Sequence, residues 1–453
     1  MSSTSSATTA PAGADSADVH DLIGVGIGPF NLGLACLADP LDDVDAVFLD
    51  GRDGFAWHHG MMLDDATIQV PFLADLVTMA DPTSPYSFLN WLKHTGRLYP
   101  FYIREDFHPL RSEYDAYCRW ASEQLESLRW GRQVESVEHD PQTDLFTVTA
   151  VTADGVEVRR ARHVVLGIGT APHIPEPLRG LGTAARHAAD YLPARGQLLE
   201  AGSIAVIGSG QSAAEIYLDL LERQGEHGYR LDWITRSPRF FPMEDTKLTL
   251  EMTSPEYTDH FHALPEPLRD QLAREQRGLY KGISAATIDR IHDALYRQSA
   301  HRTVPTTLLT DTEVTAAQPR SGAEAGSGEG VELTLRHRQL GETVARTAEQ
   351  LVLATGYAPR AASMLAGVEH LIGRDDAGRL AVARDYHVDT LGGRIFVQNG
   401  EEHTHGLTAP DLGMGAWRSA SILASITGRE PYPLERRVAF QQFGVPTRTE
   451  VPR

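Results

Sequence analysis

Two glycine-rich turns, each closing an apolar strand-like run and opening a helix-like one, constrain this chain more than any other feature. The first reads Leu22-Ile23-Gly24-Val25-Gly26-Ile27-Gly28-Pro29, the second Val206-Ile207-Gly208-Ser209-Gly210-Gln211-Ser212-Ala213. Residues without a Cβ let the backbone approach a pyrophosphate, and the N-terminus of the next helix supplies partial positive charge. One such turn is a weak signal. Two on one chain predict an α/β protein with two Rossmann-like units that hold two dinucleotides, most simply FAD and NAD(P)H.

The spacing of the two turns suggests how the chain is divided. At 453 residues it can bury a substantial core in two or three domains. Residues 1–19 are rich in Ser, Thr and Ala, lack the basic start and apolar core of a signal peptide, and read as a disordered tail. The first unit spans 20–190. In it Ala46-Val47-Phe48-Leu49 reads as the second strand, and Asp50 at its end is placed to bind ribose hydroxyls. A buried strand, His163–Gly169, follows, and a similar run returns at Leu351–Tyr357. The second unit, 191–345, is therefore expected to be inserted into the first, which resumes over 346–440 before a tail at 441–453.

Within the second unit, Ser203–Ile207 and Leu231–Thr235 read as strands flanking an amphipathic helix over Ala213–Arg223. The second of these strands ends at Arg236, with Arg239 close behind. A cation there suits the 2′-phosphate of NADP, whereas an acid would suit NAD. A solvated surface Arg is an equal alternative for either residue taken alone. Residues 245–300 switch to helical periodicity and are expected to cover one side of an active site. Ser321–Gly330 reads as a flexible surface loop.

Composition narrows the partners. Only Cys36 and Cys118 occur, with no close pair, so a disulfide scaffold, a redox dithiol and a zinc site lose support, and a reducing cytoplasm fits. No apolar run is long enough to span a bilayer. A formal charge of −20 disfavours nucleic acid and is compatible with a cationic substrate, although acidity serves solubility as readily.

Taken together, the motifs resemble the flavin-dependent N-hydroxylating monooxygenases that act on lysine, ornithine or diamines in siderophore biosynthesis. The landmarks are Gly24–Asn31, Trp57-His58-His59-Gly60-Met61, Gln69-Val70-Pro71-Phe72-Leu73, Asp81–Tyr86, Gly208–Ser212, Ala354-Thr355-Gly356-Tyr357 and His405-Gly406. The runs Thr235–Phe241, Lys247–Glu256 and Pro410–Gly415 are similar to those of cadaverine N-hydroxylases. The resemblance implies a split FAD domain, an inserted NADPH domain and a small, mostly helical substrate region, commonly assembled as a homotetramer. It assigns Gln69 to the flavin ring, where it is the one candidate catalytic side chain. Trp57, Met61, Thr355, Gly356 and Leu412 line the same cofactor. On their residues alone, Trp57 would be a core aromatic and Gln69 a satisfied buried amide. His187 matches a histidine at the junction of nucleotide domains, where packing explains it as well as chemistry does.

The resemblance also implies a substrate. Lysine and ornithine enzymes carry a Lys in Phe-Leu-Lys-Asp-Leu that pairs with the substrate carboxylate, and this chain has Ala74 there. An Asn of ornithine enzymes aligns with Ser254, and a C-terminal Ser with Gly413. A buried carboxylate without its cation costs several kcal/mol, whereas a diamine has no carboxylate. The expected reaction is NADPH- and O₂-dependent N-hydroxylation of cadaverine or putrescine on bound flavin, with L-lysine or L-ornithine as the alternative. For the distal ammonium, Asp75, Glu244, Asp245, Glu251 and Glu402 are all open candidates; Lys247 could instead hold an amino-acid carboxylate.

Overall fold

The computed structural model describes residues 19–320, 330–360 and 363–445. The 1–18 part of the expected N-terminal tail, nearly all of the 321–330 loop and the end of the C-terminal tail lie outside those residues.

The apolar run before the first glycine turn forms the strand Val19–Val25, whose last four residues are buried. It lies at the centre of a seven-stranded sheet, parallel to Ala46–Asp50 on one side and to Gly155–Leu166 on the other. Strands buried on both faces read as unbroken apolar runs, as this one does. Leu145–Thr152 and Gln133–Asp140 extend the sheet as an antiparallel meander. Pro29 opens the Pro29–Ala38 helix at a position where its missing N–H is no loss. That helix packs against the C-terminal Gly415–Thr427 helix, with Leu34, Leu37, Ala420 and Leu423 in one buried cluster.

The second sheet is wholly parallel, in the order Thr306–Leu309, Arg230–Ile234, Ser203–Ile207, Gln350–Leu353, Ala185–His187. The Gln211–His227 helix covers one face and ends at Gly228 in the left-handed conformation that favours glycine. Five helices between Lys247 and Ser299 carry the helical periodicity of that stretch, and the last, Ala285–Ser299, packs on Gln211–His227.

The topology corrects the domain limits read from the sequence. Ala185–His187, assigned to the first unit, and Leu351–Leu353, expected to return to it, both pair in the second sheet. A fully apolar parallel strand carries no mark of which sheet it joins; register against Ala205–Ile207 decides it. The true return to the first sheet is Ile395–Val397, beside Gly155–Leu166. A small antiparallel pair, Thr170–Pro172 with Tyr357–Pro359, links the halves. The expected tail at 441–453 also begins docked: Gln441 donates to the Leu248 carbonyl, and Phe443 packs on Tyr257.

Candidate functional site

Both glycine turns have the geometry of an anion cradle. Gly26 has φ +86°, and a Cβ there would stand 2.6 Å from the Gly167 carbonyl oxygen. A Cβ on Gly28 would meet nothing within 4 Å, so space opens in front of the helix. Neither the Pro29–Ala38 nor the Gln211–His227 helix has a side-chain cap, which leaves their first N–H groups for a ligand. In the second turn, a Gly208 Cβ would lie 2.2 Å from the Ala354 carbonyl oxygen. The residues fit two dinucleotides.

Asp50 is buried at the end of its strand, as expected, and it braces the turn. Its carboxylate accepts the Ile27 N–H at 2.7 Å and both the main-chain N–H and guanidinium of Arg52. Burial would raise its pKa, but the Arg52 guanidinium and these N–H groups hold it below the usual range. Arg52 also donates to the Ile27 carbonyl, a second brace that the sequence reading missed.

The residues that the resemblance assigns to the flavin ring are placed differently. Trp57 packs against Tyr114 with ring centroids 4.9 Å apart, and its main-chain N–H donates to Asp115. Met61 is buried, and its carbonyl accepts from Arg111. Gln69 is exposed, with no side-chain hydrogen bond among the described residues, so its amide remains available. Thr355 donates to the His173 carbonyl, and Gly356 has φ +84°. His187 accepts from the Ala189 N–H at Nδ1 and faces the Gly356 carbonyl through Nε2 at 3.0 Å. Burial lowers its pKa, so it is a neutral joint between the Ala185–His187 strand and the Thr355–Tyr357 turn.

On the second cradle, Gln211 is committed to the fold. Its amide donates to Glu215 and Thr287 and accepts from the Ser284 N–H. Ser209 and Gly210 remain at the mouth, and Ser212 sits in the first helical turn. Glu215 also receives both terminal nitrogens of Arg111, an ion pair that ties the two nucleotide units together. Arg236 is exposed at the end of its strand without an ion pair among the described residues, and Arg239 lies over the Phe241 ring.

The positions expected to hold substrate converge in part. Pro29, Phe30, Asp75, Leu76, Leu412 and Gly415 line one small cavity, joining the first turn to the segments that carry Ala74 and Gly413. A Cβ on Gly413 would stand 3.8 Å from that of Ala74 and 2.9 Å from Asp411 Oδ1. Ser254 is fully buried, and its hydroxyl caps the Pro255–Ala263 helix by accepting the Tyr257 N–H. That helix touches the same region through Thr258 and Thr408, whose hydroxyls lie 3.1 Å apart. Glu244 is exposed and accepts from the Thr249 hydroxyl, outside the Ala74–Gly413 contact. Arg418, the buried cation of the neighbouring helix, is held by Glu401 and the Ala409 carbonyl and lies over Phe30. Asp411 was absent from the sequence candidates; its place beside Gly413 is the only signal that marks it.

Two glycine-turn cradles, each opening a helix beside a parallel sheet, with a small cavity between the first turn and the C-terminal segment, define a two-nucleotide flavoprotein. The family model described as L-lysine 6-monooxygenase/L-ornithine 5-monooxygenase matches residues 18–359, and the chain belongs to this FAD- and NADPH-dependent family of N-hydroxylating monooxygenases. It is 44% identical over 427 residues to a putrescine N-hydroxylase of Shewanella oneidensis, covering 94% of this chain and 84% of that protein. The FAD-bound cadaverine monooxygenase of the desferrioxamine pathway from Erwinia amylovora superimposes with a TM-score of 0.92 at 46% identity, over 95% of this chain and 100% of that one. An ornithine N-hydroxylase of Kutzneria sp. 744, solved with reduced FAD, NADP⁺ and L-ornithine, gives 0.83 at 28% identity, over 90% and 99%. Among the described residues, no helix is long and apolar enough to cross a membrane.

Proposed function

We propose that this enzyme N-hydroxylates one primary amine of an aliphatic diamine, cadaverine or putrescine, for a hydroxamate siderophore. The observation that carries the reading is the closeness of Ala74 to residue 413, where a Cβ would stand 3.8 Å from that of Ala74, two small residues at positions to which the resemblance assigns the carboxylate-holding groups of amino-acid enzymes. Arg418, the buried cation nearby, is paired with Glu401 through one terminal nitrogen, which also donates to the Ala409 carbonyl. The likeness to putrescine and cadaverine enzymes supports the same substrate class.

The overall change is R–NH₂ + O₂ + NADPH + H⁺ → R–NHOH + H₂O + NADP⁺. Bound FAD supplies the redox chemistry that passes electrons from NADPH to O₂ and one oxygen atom to nitrogen. The chain supplies position and desolvation. The first cradle, Gly24, Gly26, Gly28 and Pro29, would hold the FAD pyrophosphate, with Trp57, Met61, Gln69, Thr355, Gly356 and Leu412 about the ring. Gly208, Ser209, Gly210 and Ser212 would hold that of NADPH, with Arg236 or Arg239 on its 2′-phosphate. An alkyl ammonium with a pKa of about 10.4 must lose its proton before its nitrogen is nucleophilic. Desolvation at the flavin end of the pocket would favour the neutral form.

We read the enzyme as a cytoplasmic homotetramer. Two buried free thiols suit a reducing compartment, and Tyr99, Tyr102, Ile103 and Phe107, exposed on and just beyond the Leu98–Arg104 helix, suit a subunit contact. Light scattering that gives one chain mass would refute the assembly. The substrate is tested by kcat/KM for cadaverine, putrescine, L-lysine and L-ornithine, read as hydroxylamine formed with FAD and NADPH. The diamines are expected to lead by at least about tenfold, the scale of one charged contact. A lead for either amino acid refutes the reading.

A further inference from the structure

A diamine carries its second ammonium into the pocket, and the fold leaves few acids free to meet it. Asp75 is committed to its own loop: it accepts the N–H groups of Val77, Thr78 and Phe88 and the Thr78 hydroxyl. Glu402 is held by Lys281 and Tyr280. Glu251 accepts the N–H groups of Phe440 and Gln441, and Glu244 the Thr249 hydroxyl. Asp245 is exposed ahead of the Lys247–Leu250 helix.

Asp411 differs from all of these. Only the main-chain N–H groups of Gly413 and Met414 meet its carboxylate, the latter at 3.3 Å, and no cation pairs with it among the described residues. Arg418, the nearest positive charge, already belongs to Glu401. A Cβ on residue 413 would crowd Asp411 Oδ1 at 2.9 Å and reach Ala74 Cβ at 3.8 Å, so the carboxylate and Ala74 flank one spot that glycine leaves open. The small residues at 74 and 413 thus do more than remove carboxylate-binding groups; they uncover an acid at the same place.

We propose that Asp411 is the specificity-determining counter-ion of the pocket, its carboxylate receiving the distal ammonium of the diamine while the other amine is turned to the flavin. This rests on the diamine reading above. Burial pushes the Asp411 pKa up against the pull of its two N–H donors and Arg418.

The test compares cadaverine with 1-aminopentane, which has the same five-carbon chain and no second ammonium. In the unmodified holoenzyme, cadaverine is expected to have the lower KM by at least about tenfold, the scale of a charged hydrogen bond. Asp411→Asn keeps the acceptor for Met414 and is expected to raise the cadaverine KM by that factor while leaving 1-aminopentane unchanged. Asp411→Glu, which keeps the charge, should recover most of the loss. Equal KM values in the unmodified enzyme overturn the proposal, as does a parallel shift of both amines in Asp411→Asn. If Asp411→Asn fails to bind FAD, the comparison in the unmodified enzyme and in Asp411→Glu still decides. A preference for L-lysine over cadaverine in the unmodified enzyme would instead sink the diamine reading itself.

Discussion

Replacing Ala74 by Lys restores, on this backbone, the cation of the amino-acid enzymes. Ala74 is buried, and its Cβ is 3.8 Å from the position a Gly413 Cβ would take. A lysine arm from that point brings its ammonium into the patch that contains Asp411. If the distal ammonium of cadaverine also lies there, two like charges about 5 Å apart at an effective dielectric of about 20 repel by roughly 3 kcal/mol. That corresponds to a rise in cadaverine KM on the order of 100-fold. The assay is hydroxylamine formation against cadaverine concentration, with bound FAD and melting temperature as controls on the fold. A cadaverine KM within about threefold of the unmodified enzyme, with FAD retained, would refute the placement of Ala74 at the distal end of the substrate.

Gly26→Ala forces a side chain into φ +86° and against the Gly167 carbonyl, so a loss of about 2–4 kcal/mol and of bound FAD is expected, read from the melting temperature and the flavin absorbance per chain. Arg236→Ala is expected to raise the KM for NADPH by about tenfold and to leave NADH unchanged; equal effects on both would remove Arg236 from the 2′-phosphate. Three histidines, His405 buried and His262 and His403 half-buried, grip one segment: they face the carbonyls of Arg384, Val382 and Leu380, respectively, through Nε2. Burial lowers the pKa of all three, so below about pH 6.5, the free-histidine value, the unfolded chain binds more protons than the folded one. Their stabilisation is complete above that pH and is lost as pH falls, and the melting temperature should drop between pH 7.5 and about 5.5. A flat melting profile would show that these rings carry no such burden.

Much of this was legible before any coordinates. The two glycine turns read correctly because their requirement is steric: Gly26 and Gly208 abut carbonyl oxygens where any Cβ would clash. Unbroken apolar runs bounded by turns marked Ser203–Ile207 at its limits and Ala46–Leu49 one residue short of the Ala46–Asp50 strand. Partnership was not legible. Leu351–Leu353 could have joined either parallel sheet, because a buried strand looks the same from sequence wherever it pairs. At the site, Ala74 and Gly413 stood out as departures from a family pattern, and the fold brings them together. Gln211 and Ser254 looked like ligand-binding groups, yet their polar atoms brace helices, since a side chain's partner depends on tertiary contacts absent from the local sequence. Asp411 carries no such mark, because an aspartate in a Pro-Asp-Leu-Gly stretch resembles any turn residue; only the fold shows its carboxylate against residue 413.

The most direct measurement is a competition in one vessel. Equal concentrations of cadaverine, putrescine, L-lysine and L-ornithine, with the FAD-loaded enzyme, NADPH and O₂, are quenched early and the hydroxylated amines counted by mass spectrometry. N-hydroxycadaverine and N-hydroxyputrescine should together make up nearly all of the product. Hydroxylated lysine or ornithine as the main product would contradict the account.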